Sequence, residues 1–426
     1  MRLGILGGGL SGITLQKLLK ESSEVLEKEN RIGGLCRSFV KNGFLYDVGG
    51  HILFSRDDKI MDLVREILGE NKNYCKRDSK IFFKERFVKY PFENDLAALD
   101  KEDIYECLMG YIKNEHPNPK NLKEWIYYTF GSGIADKYLI PYNEKIWKTK
   151  LEEMTLEWVE RIPKPPMEDV IKSALGIETE GYTHQLYFNY PIIGGIEALV
   201  SAMVKEKASI CTSFDIKRIY LKGKNWVVSN GTDEKEYEKL VLTFSVKEAV
   251  KIIDNVPEKV KEAAANLRNN MVRVVLVGVN NESLSDRGAI YVPSSDICTH
   301  RVCYMNYFSK NNVPKGKSSL MAEVTTNPNQ EYYNVSNDVL VEKVINDLSK
   351  AGMIRKNEVV ETDIKNFEYG YVVYDLDYQK NIKIVRDYFK EIGIDLHGRF
   401  AEFEYINMDE VIKRSINLAE KINSPK

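Results

Sequence analysis

A chain of 426 residues exceeds a single typical core, so two or three domains are expected. Lysine plus arginine (61) nearly balance aspartate plus glutamate (63), and the formal net charge of -2 removes the electrostatic case for nucleic acid, whose binding needs a basic face. No apolar run reaches the length of a membrane span, the six cysteines form no C-x-x-C pair, and the five histidines lack metal-ligand spacing. A reducing cytoplasm is expected, with neither a disulfide framework nor a metal centre. The first strand starts at once, so no signal peptide is expected.

The chain opens as strand, glycine turn, helix, strand. Residues 1–6 (MRLGIL) read as an apolar strand after Arg2, Gly7-Gly8-Gly9-Leu10-Ser11-Gly12 is a G-x-G-x-x-G turn, ITLQKLLKES has helical periodicity, and SEVLEKE is a second strand. Such glycines allow a tight turn and close approach of backbone to a pyrophosphate seated on the helix N-terminus. Gly7, Gly9, Leu10, Ser11 and Gly12 are therefore candidate cofactor ligands. Glu27, fifteen residues past Gly12 and followed by Lys28, stands where an acid accepts ribose hydroxyls.

Arg31-Ile32-Gly33-Gly34-Leu35-Cys36-Arg37-Ser38 comes next, then Tyr46-Asp47-Val48-Gly49-Gly50-His51. With these residues the chain resembles the flavin-containing amine oxidase superfamily, whose FAD proteins include protoporphyrinogen oxidases, monoamine oxidases and UDP-galactopyranose mutases. A second Gly-Gly after the ribose-binding acid marks that superfamily, and a nicotinamide dehydrogenase would not need it. FAD is long, and more backbone must pass close to its phosphates, ribityl chain and ring, where a Cβ would clash. Gly34, Leu35, Cys36, Gly49, Gly50 and His51 are implied as FAD contacts. A plain reading of both glycine pairs is two surface turns.

Further along, residues 57–68 have helical periodicity, and residues 75–92 alternate as a hairpin turning at Lys84-Glu85 and broken by Tyr90-Pro91-Phe92. From Leu96 to about Trp158 the pattern is helical, interrupted by Pro117 and Pro119, and Ile162-Pro163-Lys164-Pro165-Pro166 is a loop. His184 to Pro191 is expected as a strand, and Ile193-Gly194-Gly195-Ile196 opens a helix. A meander follows, with turns at Asn225 and Asn230-Gly231. Val246 onward is helical, Met271 to Val279 is an apolar strand, and further strands are expected over 289–292, 301–306 and 319–325. Helices over 338–351 and 379–393 flank a strand over 364–374, and the tail from Gly398 to Ile422 reads as strand then helix.

No repeat or low-complexity linker separates these elements, so the domains interleave. The expected fold class is α/β, α+β overall. A Rossmann-like FAD-binding domain of the glutathione-reductase and amine-oxidase type would draw on residues 1–70, 186–250 and 379–426. The other expected parts are a hairpin over 71–94, a helical subdomain over 95–185 and a mixed substrate-binding sheet over 251–378. The resemblance implies that a strand end near Asp215-Ile216 meets the adenine. It also implies a last flavin-binding turn at Gly398-Arg399-Phe400 and Asn407-Met408-Asp409, where a helix N-terminus points at the flavin. An ordinary capped helix would use Asn407 or Asp409 in the same way.

Other motifs resemble the UDP-galactopyranose mutases, especially the eukaryotic type. They are Gly49-Gly50-His51, Arg77-Asp78-Ser79, Tyr90-Pro91-Phe92-Glu93-Asn94, Gly131-Ser132-Gly133-Ile134-Ala135-Asp136, and Pro141-Tyr142-Asn143 with Trp147. That resemblance implies Arg161 and Arg301 on a substrate diphosphate, Tyr307, Tyr371 and Tyr405 around diphosphate and flavin, and His51 at the ring. Arginine forks bind phosphate oxygens bidentately and stay ionised, and tyrosine hydroxyls add neutral donors. The implied reaction is covalent catalysis by N5 of reduced flavin on a nucleotide sugar, with an external reductant to prime the flavin. His51 bonded to backbone, Arg161 as a solvated loop charge, and each tyrosine as packing remain open readings.

The chain also departs from that pattern. The Arg301–Tyr307 spacing is one residue short, and Tyr187-Phe188-Asn189-Tyr190-Pro191 lacks the uridine-side sequence, leaving Tyr127, Tyr128 and Phe130 as fallback stacking residues. The alternative is an oxidoreductase of the protoporphyrinogen or amine oxidase kind, for which Lys317 could hold a water. No cysteine follows Cys303, so covalent flavin attachment through a C-terminal cysteine is excluded.

Overall fold

A computed structural model describes residues 2–180, 186–284 and 287–424. His184, the expected start of one strand, lies outside them. The first sheet has five parallel strands in the order Asp395–Leu396, Lys239–Leu242, Leu3–Leu6, Ser23–Leu26 and Ser209–Cys211. Its central strand is buried along its whole length, as a parallel strand covered on both faces requires. The start, middle and end of the chain thus share one sheet. The C-terminal helix Met408–Asn423 closes it: Asn423 donates from Nδ2 to the Leu18 carbonyl (3.1 Å) and accepts from the Lys20 amide (2.9 Å), at the end of helix Leu10–Leu18.

The second sheet has seven strands, ordered Val359–Val373, Arg268–Val279, Ser318–Thr326, Arg301–Tyr304, Ala289–Tyr291, Ser79–Phe83 and Arg86–Lys89. All pairs are antiparallel except Ala289–Tyr291 with Ser79–Phe83. The expected hairpin turns at Lys84 (φ 47°) and Glu85 (φ 62°), and positive φ at both central residues matches the twist of the flanking strands. It starts only at Ser79, because Asn73–Lys76 pairs instead with Tyr187–Tyr190.

Three more boundaries differ from expectation. The strand from Arg301 stops at Tyr304, and a short helix, Met305–Phe308, carries Tyr307. The strand before Asp215 ends at Cys211. Residues 398–403 are turns, since Gly398 (φ 103°) and Phe403 (φ 50°) both leave the extended region, and the strand is the preceding pair Asp395–Leu396.

The helical region crosses Lys101–Ile112 against Leu122–Ile134. The crossing is set by glycine. A Cβ on Gly131 would lie 1.9 Å from the Gly110 carbonyl oxygen, and one on Gly133 would lie 2.3 Å from that of Glu106. The Gly131–Asp136 motif therefore serves backbone contact between helices. Among the described residues no helix is long and apolar enough to cross a membrane.

Candidate active site

The glycine turn is stitched to the second glycine pair. The Gly33 amide donates to the Gly8 carbonyl (2.9 Å), and a Cβ on Gly34 would stand 3.0 Å from Gly9 Cα. Gly12 lies so close under the turn that a Cβ would meet the Gly7 carbonyl oxygen at 2.1 Å. The Glu27 carboxylate accepts from the Gly8 amide (2.7 Å) and the Glu29 amide (2.9 Å), so it sits directly at the turn. Leu10 is buried beneath, and Ser11 reaches the tail, where a Cβ on Gly398 would lie 2.2 Å from Ser11 Oγ.

The remaining cofactor candidates separate into two groups. Phe214 donates its amide to the Glu27 carbonyl (2.9 Å), which brings Asp215 and Ile216 alongside Glu27. Asp215 itself is exposed and paired with Lys217, and Lys28 is exposed. Cys36 is buried, and burial pushes its thiol up to about 12, so it is an inert neutral wall. Leu35, Gly49, Gly50, His51, Arg399, Asn407, Met408 and Asp409 all line one cavity of about 900 Å³. The first turn of helix Met408–Asn423 opens on that cavity, which places partial positive charge there.

Arg301 meets Glu323 edge to edge. Its Nε and Nη2 each donate to one carboxylate oxygen at 2.7 Å. Glu323 also accepts from the Gly50 amide (3.1 Å) and the Tyr371 hydroxyl (3.1 Å). Burial works against the Arg301 charge, but the adjacent carboxylate more than offsets this and holds the guanidinium well above its usual range. Burial and Glu323 together keep Tyr371 protonated. His300 stands behind, with Nδ1 at 3.3 Å from Thr325 Oγ1 and Nε2 at 3.3 Å from the Tyr371 hydroxyl. Burial, then Arg301, depresses its pKa far below the usual range, so it is neutral.

A second basic cluster surrounds Tyr405. The Arg161 guanidinium lies 5.1 Å and the Arg399 guanidinium 4.5 Å from its ring centroid. Arg161 donates to the Tyr405 carbonyl and Arg399 to the Ile406 carbonyl, which fixes both forks. Trp158 packs edge-on to Tyr405 at 5.1 Å, and Tyr371 stacks on it at 5.8 Å. Arginine stacked on an aromatic face gains attraction from the ring quadrupole.

Of the residues singled out for chemistry, His51, Arg161, Arg301, Tyr371 and Tyr405 line this cavity, and Tyr307 does not. Its hydroxyl donates to the Lys76 carbonyl (2.6 Å) because the short helix turns it away from the strand. Tyr127, Tyr128 and Phe130 are also elsewhere. Tyr127 bonds Asp136, Tyr128 is exposed, and Phe130 is core. Lys317 lies over the Phe44 ring at 5.8 Å, away from the cavity.

The aromatic walls are instead Tyr90, Tyr138, Tyr142 and Tyr291. Tyr138 stacks on Tyr142 at 5.5 Å, and Tyr291 meets both Tyr142 (5.6 Å) and Tyr90 (4.9 Å). The Tyr90-Pro91-Phe92 and Pro141-Tyr142-Asn143 motifs pointed to two of these four; nothing local marked the others. Glu323 also went unnoticed, because its pairing depends on strand register.

Three residues that line this cavity each carry a buried polar atom with no hydrogen-bond partner among the described residues: His51 Nδ1, Glu93 Oε2 and Trp158 Nε1. Buried polar atoms are nearly always bonded, so three unpartnered ones in the wall of one cavity suit a polar molecule bound there. Burial, then Arg399 and Arg301, lowers the His51 pKa to about 3, so this imidazole is neutral. A long cofactor with phosphates, hydroxyls and a polar ring fits the glycine cradle, the helix N-termini and the free His51 nitrogen together.

Comparison with known proteins gives the same outline. The family model described as flavin containing amine oxidoreductase matches residues 11–374. A UDP-galactopyranose mutase of Mycoplasma pneumoniae (strain ATCC 29342 / M129 / Subtype 1) is 26% identical over 165 residues, which span 35% of this chain and 41% of that protein. A crystal structure of reduced UDP-galactopyranose mutase superposes with a TM-score of 0.90 at 25% identity, covering 99% of this chain and 95% of the other. A candidate protoporphyrinogen oxidase from Exiguobacterium sp. 255-15 superposes at 0.76 with 18% identity, covering 99% of this chain and 98% of the other, a likeness of fold.

Proposed function

This chain belongs to the flavin-containing amine oxidoreductase family and takes FAD as its cofactor, and from that premise we propose that it is a nucleotide-sugar mutase. The observation that carries this reading is the pair of arginines, Arg161 and Arg399, held against the Tyr405 ring in the cavity wall. Two fixed guanidinium groups suit a diphosphate, and they repel the cationic substrate of an amine oxidase. The aromatic wall of Tyr90, Tyr138, Tyr142 and Tyr291 suits a planar base.

In this reading the reduced isoalloxazine ring supplies, when bound, a nucleophilic electron pair at N5 for the anomeric carbon. The protein binds, orients and excludes water. Arg161 and Arg399 hold the diphosphate and stabilise the charge that grows on it as the glycosidic bond weakens. Neutral Tyr371 and the Tyr405 ring shape the sugar pocket, and neutral His51 offers one free nitrogen to the ring or to a sugar hydroxyl. Tyr307 has no part in it.

The test is direct. Holoenzyme reduced with dithionite is given UDP-galactopyranose and UDP-galactofuranose in turn, and exchange of ring size is followed with UDP as competitor. Exchange supports the mutase reading. A reduced holoenzyme that ignores UDP at millimolar concentration, yet turns over an oxidisable substrate with oxygen, would move the chain to the oxidoreductases.

A further inference from the structure

The Arg301–Glu323 pair has a geometry that diphosphate binding alone does not explain. The carboxylate occupies the Nε and Nη2 edge of the guanidinium, and only Nη1 makes no hydrogen bond among the described residues. Glu323 is 1% exposed and uses its remaining capacity on the Gly50 amide and the Tyr371 hydroxyl. The turn rests on this pair: a Cβ on Gly50 would stand 3.4 Å from Arg301 Cζ and 2.9 Å from Cys303 Sγ. His300 closes the back of the network. If its Nδ1 accepts from Thr325, its Nε2 carries the proton toward Tyr371 and Glu323, so the carboxylate meets donors on every side.

We propose that Glu323 is a positioning residue that acts through Arg301: it fixes the guanidinium edge-on and cancels its charge beside the Gly49-Gly50-His51 turn. Arg301 then presents an aimed donor to the cavity without a net cation. The net positive charge around the cofactor comes from Arg399, Arg161 and the helix N-terminus at Asn407. Removing one partner of a buried pair leaves the other charge uncompensated, whereas removing both restores neutrality. The proposal rests on the reading that the flavin ring lies at Gly50, and not on sugar chemistry.

The readout is the flavin midpoint potential of the holoenzyme, measured by spectroelectrochemical titration. Three variants are compared with the natural chain: Glu323→Gln, Arg301→Gln and the double substitution. The expected result is a positive shift for Glu323→Gln, a negative shift for Arg301→Gln, and a double variant closer to the natural value than either single one. Glu323→Asp should recover most of the shift. A Glu323→Gln holoenzyme with lowered melting temperature and unchanged potential overturns the proposal, as does a double variant displaced as far as a single one. If Glu323→Gln does not fold, Arg301→Gln against the double variant still decides: equal potentials sink the idea. No shift in any FAD-loaded variant overturns the placing of the ring at Gly50.

Discussion

Gly398 is pressed against Ser11: a Cβ at position 398 would lie 2.2 Å from Ser11 Oγ and 2.9 Å from Ser11 Cβ. Ser11 belongs to the first glycine turn and Gly398 to the turns before the C-terminal helix, so this contact joins two remote parts of the chain that we propose hold the cofactor. Gly398→Ala should therefore loosen FAD as well as the fold. Its φ of 103° is one that L side chains rarely adopt, and the strain plus the clash should cost about 1–3 kcal/mol. A fluorescence titration of apoprotein with FAD checks it: affinity should fall at least tenfold. Ser11→Gly removes the clash and not the backbone strain, so it should restore only part of the loss. Unaltered FAD affinity in Gly398→Ala would put the tail outside the cradle.

Arg161 and Tyr307 make opposite predictions although the sequence placed both at a substrate. Arg161 is held against Tyr405 in the cavity wall, and Tyr307 bonds the Lys76 carbonyl at 2.6 Å outside it. Arg161→Ala should weaken UDP binding to reduced holoenzyme by about 2 kcal/mol, the range of a hydrogen bond to a charged group. Tyr307→Phe should leave that affinity alone and lower stability by about 1 kcal/mol. Isothermal titration with UDP reads the first, and a urea midpoint reads the second. A large loss of UDP affinity in Tyr307→Phe would restore the reading from sequence.

The difference between these residues shows where sequence reasoning reaches. The N-terminal cradle was legible because strand, turn, helix and Glu27 are contiguous, and each element constrains the next. The Rossmann-like class of the parallel sheet followed from the same pattern and from the resemblance, while its edge strand Asp395–Leu396 did not. Glu323 was not legible, because only the register Arg301↔Glu323 between neighbouring strands brings it to the turn. Tyr307 came from the resemblance alone, and its position off the cavity follows from the strand ending at Tyr304 and the short helix Met305–Phe308 after it. Asp215 lies beyond the end of its strand for a related reason: strand ends are set by pairing partners, which sequence does not display.

Glu93 gives a pH signature. It is 1% exposed, Oε2 has no partner among the described residues, and burial pushes its pKa up to about 8 from the ordinary 4.5. The folded protein thus keeps a proton that the unfolded chain releases in the acid range. The associated stability is full below about pH 4.5 and is lost as pH rises toward about 8, with a limiting slope of about 1.4 kcal/mol per pH unit. Glu93→Gln cannot titrate. Unfolding free energies from pH 5 to 9 should show the natural chain losing ground to the variant as pH rises. Parallel curves would mean that Glu93 finds a cation or becomes hydrated.

The Gly-x-Gly of the helical region carries the last prediction. It is one of the stretches that resemble the mutases, and in the fold Gly131 packs on the Gly110 carbonyl and breaks the helix with φ 68°. Gly131→Ala would force a Cβ to within 1.9 Å of that oxygen, and backbone cannot yield as a flexible side chain can. The helices Lys101–Ile112 and Leu122–Ile134 must part, opening a gap among Cys107, Trp125 and Phe130. The cost should exceed about 3 kcal/mol, as for other severe core overpacking and backbone strain. Tyr138 and Tyr142 follow in the same run of helix, so the aromatic wall should shift with it. Hydrogen exchange should show lost protection over 101–147 while the strand Leu3–Leu6 stays protected, and holoenzyme should still be yellow. Full protection with abolished activity would instead make the motif part of the chemistry.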